Sequence, residues 1–512
     1  MMILPTDELV LDVGVVITDT DGDETRTGVS FKVEDGSDPS LTDDIADIFE
    51  NDIGDLTKQP FEGDLALTEG SDAVTSIGIN NSVLDLVSPW LNLTSNGEDT
   101  DVALSSTNQT GINDTLTVSL EDGTVVMQVI VNIDGTYTID LREPLDQDVV
   151  SNLNTLLIPV DVTDSDLDTT SATITVNVTD GDDPTGVDSD VEWTETTGEV
   201  TADGTISFTA GSDDIQSIEF DPTVLGDSAW TGLMSEGESV TVELSDDGKT
   251  LTVTANDSEA PVLTITIDND GNYDITQHRP IEQADGTDIN DLVLPVLAKD
   301  TDGDSGTANI NITINDALPA TGADASINIK EEGLPTVTPG VIVFTPNSDS
   351  IESYEFDPEV ANDATWGALT SNDEATTVAV NGNTITVALA SDSNAVALEL
   401  VINSDGTFTL TQNLPLDQDV LSNINELVAG VIATDFDGDT STADIKIKIT
   451  DGTDPKITDA AVNFIETTDG APKTGTMTIT KALTIFSVFS LMMPCCLIPL
   501  GQASPVTVRQ PS

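Results

Sequence analysis

An all-β chain, built as a tandem array of antiparallel β-sandwich domains, is what this 512-residue sequence predicts, and three observations carry that expectation. First, a cluster of aspartates recurs as Asp19-Thr-Asp21-Gly-Asp23, Asp164-Ser-Asp166-Leu-Asp168, Asp300-Thr-Asp302-Gly-Asp304 and Asp435-Phe-Asp437-Gly-Asp439, at intervals of 145, 136 and 135 residues. A period that long, holding several strand-like segments, describes whole domains rather than a solenoid of small repeats. Second, apolar and polar residues alternate almost everywhere inside a unit, the period of a half-buried strand. Third, Asp-Gly and Pro turns punctuate the chain at fixed places, giving seven or eight strands per unit.

Taken in order through the second unit, Ile206 and Phe208, then Val240, Val242 and Leu244, form strand faces. Asp246-Asp-Gly-Lys249 turns the chain into Leu251 and Val253, followed by Ile265 and Ile267. An Asp-Gly hairpin turn comes next at Asp270-Gly271, matched by Asp134-Gly135 and Asp405-Gly406, each 30 residues before a cluster. Around the first of these, Val129, Val131 and Ile133 alternate on one side and Tyr137, Ile139 and Leu141 on the other. Pro144-Leu-Asp-Gln-Asp148 then repeats as Pro415-Leu-Asp-Gln-Asp419, with Pro280-Ile-Glu-Gln as its echo. Single helical turns are expected at Val149–Leu157 and Leu421–Val428. After the cluster, Ile310, Ile312 and Ile314 form the last strand. It ends at a linker motif that begins sixteen residues after the cluster does: Asp35-Gly-Ser-Asp38-Pro39, Asp180-Gly-Asp182-Asp183-Pro184 and Asp451-Gly-Thr-Asp454-Pro455, with Asn315-Asp316-Ala-Leu-Pro319 as a degenerate copy. Proline cannot donate to a ladder and restricts its neighbour, so these motifs end strands firmly.

The resulting boundaries are 1–35 (the end of a truncated repeat), 36–180, 181–316 and 317–451 (complete repeats), 452–480 (the start of another) and 481–512 (an atypical apolar tail). Trp90, Trp230 and Trp366 occupy corresponding places and read as core anchors. Aromatics are only 4% of the chain, so the rest of each core falls to Val, Ile and Leu. The chain opens in mid-repeat without a signal peptide. Residues 470–512 contain no Asp or Glu, and Ala482–Leu500 is uncharged and long enough to span a membrane. Membrane contact follows only if that stretch is a genuine span. Pro494 and Pro499 interrupt it, and it displaces the strands of a repeat already begun, which a frameshifted or mis-joined end explains better.

The formal charge of −80, from 94 acids against 14 bases, excludes nucleic acid and anionic membrane as electrostatic partners. Both cysteines, Cys495 and Cys496, lie outside the repeats, which excludes a disulfide framework and a cysteine–zinc site. One histidine, His278, cannot supply a repeated catalytic arrangement, and no phosphate-cradling glycine loop follows a strand, so an enzyme is not expected. Most of the acids read as a solvated surface; the clustered ones read as metal ligands.

Three carboxylates within five residues repel unless a cation lies among them, and hard oxygen ligands suit calcium. The i, i+2, i+4 spacing places them on one side of an extended loop that glycine allows to curl. An EF-hand is excluded, since glycine stands at position four and no helix follows. The competing reading, an acidic turn without metal, is weakened by four occurrences in step with the Asp-rich linkers. Ten residues such as Thr440–Ile449 span roughly 33 Å as a strand, so a cluster cannot share an ion with the linker that follows it. Asp164, Asp166 and Asp168 should therefore meet Asp35 and Asp38. Asp300, Asp302 and Asp304 should meet Asp180, Asp182 and Asp183, and Asp435, Asp437 and Asp439 should meet Asp316. Asp19, Asp21, Asp23, Asp451 and Asp454 complete the candidate ligands.

The combination of Asp-x-Asp-Gly-Asp, an Ile/Val-rich strand and Asp-Gly-x-Asp-Pro, with the Asp-Gly-Thr-Tyr hairpin and Pro-Leu-Asp-Gln-Asp upstream, resembles the tandem repeat of type I secretion targets. These are large, calcium-binding repetitive adhesins of Gram-negative bacteria, and the resemblance covers about residues 1–480. It implies immunoglobulin-like or cadherin-like sandwiches, calcium as cofactor, and a type I exporter as partner. It further implies an extracellular place on the bacterial outer surface and a role in attachment and biofilm formation. The chain departs from that pattern in lacking glycine-rich nonapeptide calcium repeats and in placing Leu167 where the other clusters have glycine. The expected function is a calcium-stiffened extender that holds distal adhesive domains against a surface target. The alternative is that the repeats themselves bind carbohydrate or a partner.

Overall fold

The computed structural model describes residues 8–453 except 35, 86–88, 106–112, 148–150, 284–288 and 419–423, together with Lys456–Ile457 and Ile479–Thr480. The candidate ligands Asp35 and Asp454, most of 452–480 and the tail 481–512 lie outside the described residues. Two compact units divide the chain, Met1–Ala317 and Leu318–Ser512.

The first unit opens with a long antiparallel hairpin, β1 (Glu8–Thr18) and β2 (Glu24–Glu34), turning at the first aspartate cluster. The first complete repeat then runs β3 (Asp44–Phe49), β4 (Phe61–Asp64), β5 (Val74–Ile79), β6 (Thr94–Ser95), β7 (Glu98–Ser105), β8 (Asp114–Leu120), β9 (Val125–Val131), β10 (Thr136–Leu141), β11 (Leu153–Asp164) and β12 (Thr169–Thr179). These form a four-stranded sheet in the order β3-β12-β11-β5 and a six-stranded sheet in the order β4-β10-β9-β8-β7-β6. The second repeat repeats both orders, its four-stranded sheet running Ser189–Thr194, Ser305–Asn315, Ile289–Asp300, Ile215–Phe220. The chain is therefore an array of β-sandwich domains. In each of these two repeats one pair of the sandwich departs from antiparallel: β3 lies parallel to β12, from Asp44 beside Ile174 to Phe49 beside Thr179, and Ser189–Thr194 pairs in the same way with its repeat's last strand.

Alternation sets the faces. Leu156, Ile158, Val160 and Val162 of β11 point inward and are buried, while Leu153 and Leu157 face solvent. This corrects the helical turns expected at Val149–Leu157 and Leu421–Val428 over their described residues, which are strand from Leu153 and from Ile424 onward. Pairing of β11 with β12 over eleven residues, Leu153 opposite Thr179 to Thr163 opposite Thr169, overrides the apolar spacing that suggested a turn of helix. The counterpart in the second unit is likewise the strand Ile424–Asp435.

Trp90 and Trp230 are fully buried, each on a short helical segment that delivers the ring between the sheets. Trp230 rides a single turn, Ser228–Thr231, whose N-terminus is capped by the Asp227 carboxylate accepting from the Ala229 N–H at 2.8 Å. Its indole Nε1 donates to the Val293 carbonyl at 2.8 Å, and that of Trp90 to the Leu157 carbonyl at 3.0 Å. Burying an indole without that bond would leave its N–H unpaired.

The second unit holds the third repeat, with the same two sheet orders and the same parallel closure, Ala325–Lys330 beside Thr440–Thr450. Trp366 is its buried anchor, donating to the Val428 carbonyl at 2.7 Å.

Candidate metal centres

Every cluster caps a hairpin, the first that of β1 and β2 and the other three one of a four-stranded sheet, because the two strands that flank it pair down to its edges. Strand β11 ends at Asp164 and β12 begins at Thr169, so the five-residue cluster is the turn itself. Backbone amides fold it inward. The Asp168 N–H donates to Asp164 Oδ1 at 3.0 Å, the Gly303 N–H to Asp300 Oδ1 at 3.0 Å, and the Asp23 N–H to Asp19 Oδ1 at 2.9 Å. The first aspartate of three clusters is buried, with Asp164, Asp300 and Asp435 at 2, 4 and 6% exposure. Carboxylate oxygens of Asp19, Asp21 and Asp23 converge within 4.8 Å of one another, and so do those of Asp164, Asp166 and Asp168.

Within the first unit, the linker between the first and second repeats lies against the second repeat's cluster. Oxygens of Asp180, Asp302 and Asp304 converge within 4.8 Å. Asp182 turns away to Asn51, whose Nδ2 donates to it at 3.1 Å, and Asp183 is exposed. At the first repeat's own N-terminal end, the Thr170 hydroxyl donates to the Pro39 carbonyl at 2.7 Å, so that linker too borders its following cluster; Asp38 is exposed there. Asp316 closes the first unit, where the Ala317 N–H donates to its Oδ1 at 2.6 Å. Asp435, Asp437, Asp439 and Asp451 belong to the second unit, and the Gly452 N–H donates to Asp451 Oδ1 at 2.7 Å.

Two types of candidate ligand were not anticipated from sequence. The first is a buried glutamate that follows the opening strand of each repeat. Glu50 is 2% exposed; its Oε1 accepts from the Leu145 N–H at 2.8 Å and from Gln147 Nε2 at 2.6 Å. Glu195 likewise accepts from the Ile281 N–H at 2.9 Å, and Glu331 from the Leu416 N–H at 2.9 Å. This contact accounts for the recurring Pro-Leu-Asp-Gln motif: its second residue holds the glutamate and its glutamine flanks it. The second is the aspartate of a Ser-Asp pair, Asp72, Asp213 and Asp349, on the loop before the strand that borders the cluster. The Ser165 hydroxyl reaches Asp72 Oδ1 at 3.3 Å, beside the first repeat's cluster. Asp213 is 3% exposed, and its oxygens converge with those of Glu50 and Asp180 within 4.8 Å. The repeating Ser-Asp was the signal available for it.

The linker itself is clamped to the repeat it introduces. The Ser212 N–H donates to the Asp182 carbonyl at 2.9 Å, as the Ser71 N–H does to the Ser37 carbonyl at 2.8 Å. Only glycine fits this approach: a Cβ on Gly211 would lie 1.5 Å from the Asp182 carbonyl oxygen, and one on Gly306 would lie 1.8 Å from that of Pro184.

Electrostatically the junction is under compression. Burial, opposed in part by the Leu145 and Gln147 hydrogen bonds, pushes Glu50 up to about 7. Burial, then the charge of Glu50, pushes Asp213 up to about 8. Asp180 rises to about 6, chiefly by burial, with Asp302 and Asp304 adding to it; Asp300 rises to about 7 by burial and by its contact with Asp302. In the second unit, burial and Asp437 push Asp435 up to about 8. Glu50 Oε2, Asp213 Oδ1, Asp302 Oδ1 and Gln147 Oε1 are buried without a hydrogen-bond partner. Orphaned oxygens of this kind are rare in folded proteins; here Glu50 and Asp213 converge with Asp180, and Asp302 with Asp180 and Asp304. All are hard donors, with no nitrogen or sulfur among them, which fits calcium rather than zinc or copper.

A family model described as a domain of unknown function (DUF5801) matches residues 181–313, the span of the second repeat. No curated protein matches the sequence. Among solved structures the chain is similar to Drosophila N-cadherin EC1-3, at 15% identity and a TM-score of 0.24 over 80% of this chain and 98% of that one. It is also similar to the protocadherin GammaB4 extracellular domain, at 13% identity and a TM-score of 0.28 over 88% and 55% of the two chains. A third is mouse clustered PcdhgC3 EC1-3, at 13% identity and a TM-score of 0.24 over 74% and 97%. The sandwich architecture rests on the strand topology of the chain itself.

Proposed function

We propose that the chain is a calcium-stiffened extender segment of a secreted, surface-retained bacterial adhesin. The observation that carries this is the junction in the first unit, where two carboxylate groups from consecutive repeats, Glu50 with Asp180 and Asp213 and Asp180 with Asp302 and Asp304, share Asp180, and Glu50, Asp213 and Asp302 each keep a buried, unpartnered oxygen. Calcium there would be held by these carboxylates, with the Gln147 side-chain oxygen available to it. Bound calcium would supply positive charge that turns mutual repulsion into a bridge between the repeats. Export by a type I machinery, retention at the outer surface, and attachment and biofilm formation through distal adhesive domains are the roles this reading assigns to the whole protein.

The experiment is calcium titration of the full chain by calorimetry, paired with melting curves in millimolar calcium and in chelator at matched magnesium and ionic strength. Binding to the native state but not the unfolded one raises the melting temperature. Identical melting curves and no binding heat would overturn the proposal.

A further inference from the structure

Hydrogen bonds that need no cation also cross the junction between the first two repeats, and their donors and acceptors are mostly amides. Asn51, just after β3, pairs with the linker in both directions: its Nδ2 donates to Asp182 Oδ1 at 3.1 Å, and its Oδ1 accepts from the Asp182 N–H at 3.1 Å. Asn96, between β6 and β7, accepts at Oδ1 from the Asp214 N–H at 3.0 Å. Asn152, just before β11, donates through Nδ2 to Asp304 Oδ2 at 3.2 Å. The Gln147 N–H donates to Asp302 Oδ2 at 3.3 Å. These contacts sit at separate points of the first repeat's end, so together they restrict both tilt and twist. Several end on carboxylates, and charge-assisted hydrogen bonds are stronger than neutral ones.

We propose that Asn51, Asn96 and Asn152, with the Gln147 main chain, form a cation-independent latch that keeps the first two repeats registered when calcium is absent. The latch goes beyond the calcium reading: it holds by hydrogen bonds from neutral amides what the cation would hold by its charge. Its amides are not repeated in every copy. Where the first repeat has Asn51 and Asn96, the second has Thr196 and Glu236, and Glu236 is engaged by Arg279 at 2.7 Å. The amides would also order the metal-facing carboxylates in advance, since Asp302 and Asp304 are each held by a donor from the repeat before.

The test measures the distance distribution between spin labels at Glu121→Cys in the first repeat and Glu243→Cys in the second. It uses the full chain with Cys495→Ser and Cys496→Ser. Asn96 and Asn152 have positive φ, at 50 and 45°, so the latch variant is Asn51→Ala with Asn96→Gly and Asn152→Gly, which keeps the backbone relaxed. In chelator the parent should give one narrow distribution and the variant a distribution at least twice as wide. A second variant with Asn51→Ala alone, an exposed site with no packing role, should widen it by an intermediate amount. Equal widths for parent and triple variant in chelator, whether both narrow or both broad, would overturn the latch. The calcium arm is separate: calcium should narrow the triple variant, and if it does not, the calcium-bridge reading fails while the comparison in chelator still decides the latch.

Discussion

Replacing Glu50 by glutamine should change the stability of the first repeat with opposite sign in chelator and in calcium. Glu50 has a folded pKa of about 7 against an ordinary 4.5. A carboxyl raised in the fold contributes stability that is complete below the unfolded value and lost as pH rises through the folded one. At pH 8 that loss is complete, so ionised Glu50 costs the cation-free fold about 3 kcal/mol. Glutamine keeps Oε1 as acceptor for the Leu145 N–H and Gln147 Nε2, and points an amide at Asp180 and Asp213 where Glu50 points a charge. Glu50→Gln should therefore raise the melting temperature of the first repeat's transition in chelator at pH 8, by roughly 6–15 °C for a domain of this size. In saturating calcium the same change deletes a charged ligand, so the transition should fall below that of the parent. Differential scanning calorimetry of the full chain reads both. A shift of the same sign in the two conditions would refute the reasoning.

Two further outcomes follow from the same geometry. In chelator, the melting temperature should decline from pH 5 to 8.5, because Asp180, Glu50, Asp300, Asp213 and Asp435 have folded values between about 6 and 8 and release protons across that window; calcium should flatten the decline, and a chelator profile that rises instead would contradict the burial assigned to these groups. Gly211→Ala should push the linker from its clamp, since a Cβ would lie 1.5 Å from the Asp182 carbonyl oxygen, and should weaken calcium binding at the first junction at least tenfold by isothermal titration, with unchanged affinity counting against the clamp.

Much of this was legible in the sequence because it is written locally. Asp134-Gly135 and Asp270-Gly271 sit at hairpin tips, the clusters are turns between long strands, and Trp90, Trp230 and Trp366 are buried at equivalent sites. What escaped is written between distant segments. Glu50, Glu195 and Glu331 look like any other acid in a chain with 94 of them. Only the fold shows that each receives a backbone N–H some 85 to 95 residues further on. The stretch Val149–Leu157 misled for a related reason. Its apolar residues include outward-facing Leu153 and Leu157 as well as inward-facing Leu156, so the inward stripe is clear only once β12 is placed beside it. The parallel placement of β3 has no local signal at all.

That placement decides how a repeat responds to being pulled. In the first repeat β3 lies near the point of entry and β12 at the point of exit, and the two run side by side in the same direction over six residue pairs. Tension on the ends draws β3 backward and β12 forward, so the strands must slide along each other and their cross-strand hydrogen bonds bear load together. An antiparallel closing pair in that position would instead peel open one bond at a time. The three described repeats share this closure, which gives each domain a shear lock against tension applied to its two ends.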